Sequence, residues 1–134
     1  MKKIILFFII LHFPLVIYGK NYLCIDEITT GLKKHQNGKW KSVRFNDLKY
    51  LISFENNSLK SVKKFGSDDN SCNEFRNSQQ YNTSQCISSH LGNIYRIFEF
   101  HTISKRFTIV YIPGYTENET GDTPMISGGK CSSF

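Results

Sequence analysis

The stretch Asn93–Ile112 reads NIYRIFEFHTISKRFTIVYI and carries the strongest structural signal in the chain. Two runs within it alternate apolar with polar side chains, and Ile103 and Ser104 lie between them. Successive side chains of a β-strand point to opposite faces, so each run predicts a strand with one buried face. We therefore expect Asn93–Thr102 and Lys105–Ile112 to form a long β-hairpin.

Shorter segments that favour strands lie on both sides of this hairpin: Tyr22–Ile28, Trp40–Phe45, Leu48–Phe54, Leu59–Phe65, Cys86–His90 and Met125–Ser132. Turn signals such as Asn37-Gly38 separate several of them. Two polar stretches, Thr29–Gly38 and Gly66–Gln85, are predicted as loops. About eight short strands joined by turns predict a small all-β fold, namely an antiparallel meander, barrel or sandwich.

One of these segments has two interpretations. Leu59, Val62 and Phe65 recur every three residues, as they would on one side of a short helix. The short length of the segment and the asparagine-rich turn before it favour a strand instead.

The N-terminal residues have the order of an export signal. Lys2 and Lys3 are followed by the almost wholly apolar run Ile4–Tyr18 and by Gly19, a small residue suited to cleavage. A membrane anchor is the alternative, but a spanning helix needs about 20 apolar residues. The run is shorter and contains Pro14. We predict that residues 1–19 are a cleaved signal peptide, and that residues 20–134 form a single β-rich domain with no transmembrane span.

Four cysteines lie in the predicted mature domain: Cys24, Cys72, Cys86 and Cys131. An even number in a small exported domain predicts two disulfides, for which three pairings exist. We favour Cys72–Cys86, which closes a polar segment with few apolar residues, and Cys24–Cys131, which ties the first strand to the last. The result is a disulfide-stapled domain in the periplasm or outside the cell. The spacings match no zinc pattern, so no metal and no cofactor are predicted.

The charge of the domain permits an anionic partner but does not require one. The whole chain has a formal charge of +6. Without Lys2 and Lys3, 15 basic residues remain against 11 acidic ones, an excess of four. Such a modest excess is compatible with an anionic polymer or an anionic surface as partner.

A cluster of basic residues precedes Asp47 with no acidic residue inside it. Its members are Lys33, Lys34, Lys39, Lys41 and Arg44, with Trp40 among them. Cations interleaved with an aromatic side chain favour binding of a polyanion, or of a sugar stacked on the indole. The alternative is an ordinary solvated loop whose tryptophan anchors in the core, since tryptophan is usually highly buried.

One set of residues suggests an enzyme. Tyr95, Glu99 and His101 are expected on one face of a strand, with Arg106 across the hairpin. A phenol, a carboxylate and an imidazole together are suited to acid–base chemistry on a phosphodiester. The alternative is a solvated strand face on which Glu99 and Arg106 form a cross-strand pair. No recognised catalytic motif accompanies the set.

Several short segments carry a resemblance. They are Tyr22-Leu23-Cys24, Asn37-Gly38-Lys39-Trp40, Lys49-Tyr50-Leu51-Ile52, Lys63-Lys64-Phe65-Gly66, Asp122-Thr123-Pro124 and Gly129-Lys130-Cys131. With them, most of the mature chain resembles a group of small exported proteins of proteobacteria and their phages. That group carries no assigned activity, so the resemblance implies no functional residues. Periplasmic lysozyme inhibitors are similar in size and in their cysteine-bearing ends, but their Ser-Gly-x-x-Tyr motif is missing here.

Taken together, the sequence favours an exported, non-enzymatic binding protein of the bacterial envelope or the medium. Its expected partner is an anionic polymer, or an envelope or secreted protein. A small secreted hydrolase or ribonuclease-like enzyme that uses Glu99 and His101 is the alternative.

Overall fold

Within the residues that the structure describes, nine antiparallel strands make up the fold. A computed structural model of the chain describes residues 19–67, 72–112 and 123–134. The strands are β1 (Gly19–Lys34), β2 (Trp40–Arg44), β3 (Lys49–Glu55), β4 (Ser58–Lys64), β5 (Glu74–Ser78), β6 (Thr83–His90), β7 (Asn93–His101), β8 (Arg106–Tyr111) and β9 (Met125–Ser133). Within these ranges no helix has the length and apolar character needed to cross a membrane.

The strands form one curled sheet. Their order is β4-β3-β1-β9-β8-β7-β6-β5, and β2 pairs with the second half of β1. The first half of β1 pairs with β3 along the same edge, while β9 lies on the other side. Because β4 also contacts β5 and β6, the sheet curls into a nearly closed barrel. Closure of this kind covers the sheet edges that would otherwise remain unpaired.

The interior of the barrel is rich in aromatic side chains. Along β3, Tyr50, Ile52 and Phe54 are buried while the residues between them are more exposed, as strand alternation requires. Phe98 of β7 stacks on Phe107 of β8, with 5.4 Å between the ring centroids. Burial of each such side chain stabilises the fold by about 1.5–3 kcal/mol. The core therefore rests on rings contributed by strands that are far apart in sequence.

A bulge in β1 interrupts this alternation. The β1–β9 register shifts between Asp26 and Ile28. Asp26 is buried there, and its Oδ2 accepts hydrogen bonds from Thr29 Oγ1 (2.8 Å) and from Leu48 N (3.0 Å). Gly129 lies opposite, where a Cβ atom would overlap the main chain of β1. A bulge bends its strand, and this one lies where β1 leaves β3 and begins to pair with β2.

Both predicted disulfides are confirmed, and no cysteine is free. Cys24 lies directly opposite Cys131 in the β1–β9 register, at a sequence separation of 107. Cys72–Cys86 joins residues that are 14 apart. In the chain-entropy model such loops contribute about 5 and about 3 kcal/mol to stability. Two disulfides also indicate an oxidising compartment.

The all-β prediction is confirmed, including the central hairpin and the strand interpretation of Leu59–Phe65. Two loop predictions were wrong. Thr29–Lys34 continues β1, because this segment pairs with both β2 and β9. The stretch Gly66–Gln85 contains β5, a polar strand that pairs with β6 beside the Cys72–Cys86 bridge. Residues 1–18, and with them most of the predicted signal peptide, lie outside the described residues.

Candidate functional site

The basic arm, which we define as residues 33–41, extends from one end of the barrel. The pairing of β9 with β1 starts at Gly31, and Leu32 N donates to Pro124 O (3.0 Å). Beyond that point the described backbone of the arm pairs only with itself. His35 and Lys39 close the turn through His35 N–H···O=C Lys39 (2.9 Å). The arm is therefore a hairpin tip exposed on several sides.

The register of the arm distributes its charges over two faces. Lys33 lies directly opposite Lys41, and Lys34 lies opposite Trp40. Because neighbouring residues alternate, the lysine pair projects to one face, whereas Lys34 and Trp40 project to the other. Arg44 shares the face of Trp40 at the base of the hairpin. The structure thus brings the predicted cluster onto one element, but not into one pocket.

Three cations of the arm have no acidic partner among the described residues. Lys33, Lys39 and Lys41 are exposed, and none of them belongs to an ion pair there. The carboxylate of Glu27 on the same strand binds Lys130 (2.7 Å) and Arg106 (3.3 Å). The hydrogen bond from Lys130 lowers the pKa of Glu27, so this carboxylate remains ionised and engaged away from the arm.

Trp40 is half-buried and does not belong to the buried core. The interpretation in which the indole anchors a solvated loop in the core does not agree with this position. Trp40 instead lies within the hairpin, opposite Lys34. An aromatic side chain in a cationic hairpin adds apolar contact area next to the charges.

The residues of the enzyme alternative share the outer wall of the barrel but have separate partners. Glu99 accepts a hydrogen bond from Gln85 Nε2 (2.6 Å), and the Nδ1 atom of His101 accepts one from Ser104 N (3.1 Å). Arg106 lies opposite His101 in the β7–β8 register, yet it pairs with Glu27.

The fourth member of that set also has another neighbour. The ring of Tyr95 packs against that of Tyr111, with 6.4 Å between the centroids. The groove that contains Glu99 has a volume of about 580 Å³ and includes none of Tyr95, His101 and Arg106 among its lining residues. This arrangement offers no shared concave site for acid–base chemistry.

A second concave feature, which we call the amide cup, opens at the barrel end where β1 begins. It has a volume of about 480 Å³. Tyr22, Phe54 and Phe100 form its floor, and the turns β3–β4, β5–β6 and β7–β8 form its rim. Sequence reasoning missed this site because its residues come from separate turns, and no spacing in the chain predicts that they meet.

Within the described ranges no three residues among His, Cys, Asp and Glu are grouped so as to hold a metal ion.

Comparisons with protein-family models, with curated proteins and with solved structures gave no match. The resemblance to small exported proteins of proteobacteria and their phages therefore stays a prediction.

Proposed function

We propose that this domain is an exported, non-enzymatic binding protein whose basic arm contacts an anionic polymer. The apolar run at the N-terminus and the two disulfides support export to the periplasm or the medium. The arm supplies the contact surface, with Lys33, Lys34, Lys39, Lys41 and Arg44 as the binding cations and Trp40 beside them.

The pairing of Lys33 with Lys41 is the observation that carries this proposal. Like charges directly opposite each other destabilise a pair of antiparallel strands. No described carboxylate offsets the repulsion, because neither lysine has an acidic partner. An anionic polymer would neutralise both ammonium groups at once. Binding would thereby remove the repulsion that destabilises this strand pair, and the free energy gained would add to the affinity.

Retention on a heparin column over a salt gradient tests the proposal. The variant Lys39→Ser/Lys41→Ser is expected to elute at clearly lower salt than the wild type, because charge-driven binding weakens as charges are removed and as salt rises. The matched control is Lys49→Ser/Lys64→Ser, which removes two exposed lysines from the barrel wall. It has the same net charge as the arm variant, so it shows the effect of net charge alone and should elute at higher salt than the arm variant.

Two results would contradict the proposal. One is equal elution of the two double variants, which would mean that net charge alone sets retention. The other is absence of retention at low salt, which would favour a partner protein of the envelope or the medium over a polymer.

A further inference from the structure

The amide cup is rimmed by side chains that are ready to make hydrogen bonds. Asn56, Asn57, Asn77 and Gln79 all line it. No hydrogen bond within the described part of the chain engages their side-chain amides. Each amide offers two donors and an acceptor. A ring of unengaged amides is suited to the closely spaced hydroxyl groups of a sugar, which donate and accept hydrogen bonds in the same way.

The cup also contains positive charge. Lys20 and Lys105 line it, and among the residues that the structure describes no acidic one does so. Neither lysine forms an ion pair with the described residues. The cup therefore favours a ligand that brings an anionic group.

Lys105 holds its ammonium group in a defined position. The Nζ atom lies 5.2 Å from the centroid of the Tyr22 ring and 5.8 Å from that of Phe100. It also donates hydrogen bonds to the Thr102 carbonyl and to Tyr22 Oη. The two aromatic floor residues are almost fully buried, so a ligand would meet the ammonium group rather than a ring face. A cation placed in advance loses little freedom when it binds an anion.

We propose that the amide cup binds a sugar unit that carries an anionic group, with Lys105 as the contact for the charge and the rim amides as the contacts for the hydroxyls. Its volume lies within the range of sites for small ligands. This site is separate from the arm, because none of residues 33–41 is among its lining residues.

Titration with D-glucuronate and D-glucose, followed by nuclear magnetic resonance of ¹⁵N-labelled protein, tests this inference. The two sugars differ only in that glucuronate has a carboxylate where glucose has a hydroxymethyl group. The side-chain amide signals report directly on the rim. Glucuronate is expected to shift the signals of Asn57, Asn77 and Gln79 and to bind more tightly than glucose. Lys105→Met removes one charge-assisted hydrogen bond. It should weaken the affinity for glucuronate about tenfold and leave the affinity for glucose little changed.

Matched variants separate this site from other causes. Asn93→Ala alters an exposed asparagine at the opposite barrel end and should leave both titrations unchanged. Gln79→Ala alters the rim and should weaken the binding of both sugars. Binding of glucuronate should persist in Lys39→Ser/Lys41→Ser, so failure of the arm proposal leaves this one intact. Rim signals that do not shift with either sugar would overturn the inference. An equal loss of affinity for both sugars in Lys105→Met would overturn the assignment of Lys105 as the contact for the charge.

Discussion

At the residue scale, a small polar cluster in the aromatic core has consequences for alkaline stability. Tyr50 is buried close to Asp26 and Arg96. Burial, and secondly the negative charge of Asp26, raise the pKa of Tyr50 from 10.0 to about 12, although the positive charge of Arg96 acts in the opposite direction. The phenol therefore stays neutral in the native state under conditions in which an unfolded chain would ionise it.

We predict that the wild type loses stability as the pH rises between 10 and about 12, and that Tyr50→Phe loses less over the same range. Between these values the unfolded state releases the phenolic proton while the native state retains it. Each rise in pH therefore favours unfolding, and below pH 10 the contribution is fully present. Urea unfolding at a series of pH values measures the difference between the two proteins.

The variant Asp26→Asn provides the control for this pH dependence. Removing the carboxylate charge should lower the pKa of Tyr50 without restoring its ordinary value, because burial is the larger cause. Tyrosinate absorbance would follow the titration. Identical pH profiles of Tyr50→Phe and the wild type would show that this phenol does not govern alkaline unfolding.

At the scale of elements, the arm combines a repulsive strand pair with an exposed position. Lys33 and Lys41 face each other across β1 and β2. The tip is closed by backbone hydrogen bonds between His35 and Lys39 and between Gly38 and His35, and by one from Lys39 N to Asn37 Oδ1 (3.1 Å). The arm is therefore expected to be the least stable element of the fold.

We predict that Lys41→Glu stabilises the arm and weakens its binding to heparin. An opposite-charge pair with Lys33 is favourable by about 0.2–1 kcal/mol, whereas the present pair is unfavourable. Hydrogen exchange at the His35 amide, which bonds to Lys39 O, should slow. The protein should also elute from heparin at lower salt. Faster exchange in Lys41→Glu, or unchanged elution, would contradict the role assigned to this pair.

Sequence reasoning succeeded for elements whose pattern is local. The hairpin β7–β8 alternates apolar and polar residues over its whole length, and its prediction needed no distant contact. β5 was missed because Glu74–Ser78 has a single apolar residue, Phe75, and becomes a strand only by pairing with β6. The extension of β1 was missed for a similar reason, since Thr29–Gly31 pairs with β9, about 100 residues later in the chain, and the residues up to Lys34 pair with β2.

The same distinction applies to the candidate sites. The cations of the arm lie close together in the sequence, so they could be named in advance. Their division between two faces depends on the register of β1 with β2, which no composition reveals. The amide cup joins turns that are far apart, and only the closure of the barrel brings Asn57, Gln79 and Lys105 together.

At the scale of the whole molecule, two disulfides of different span contribute unequally to stability. Cys24–Cys131 joins the strands at the middle of the sheet order, whereas Cys72–Cys86 fastens β5 at its edge. The first closes a far longer loop of chain than the second. Loop entropy therefore favours a larger effect for the first bridge.

We predict that Cys24→Ala/Cys131→Ala loses about 5 kcal/mol of unfolding free energy, and Cys72→Ala/Cys86→Ala about 3 kcal/mol. Folded proteins have a total stability of about 5–15 kcal/mol, so the first variant should lose at least about a third of it. Guanidinium unfolding followed by circular dichroism compares both variants with the wild type. A larger loss in the second variant would contradict this ranking.

The bridge between β1 and β9 also determines how the molecule responds to mechanical tension. Beyond the bridge, the two strands stay side by side as far as the hydrogen bond from Phe134 N to Asn21 O (3.3 Å). A pull applied before β1 and after β9 can separate Gly19–Leu23 from β3 and from β9 before it reaches the covalent bond. From there the force passes from one strand to the other through sulfur, and the strand pairs on the far side of the bridge are shielded from it. A molecule held taut at both ends therefore keeps this remaining part of the barrel folded for as long as Cys24–Cys131 stays oxidised.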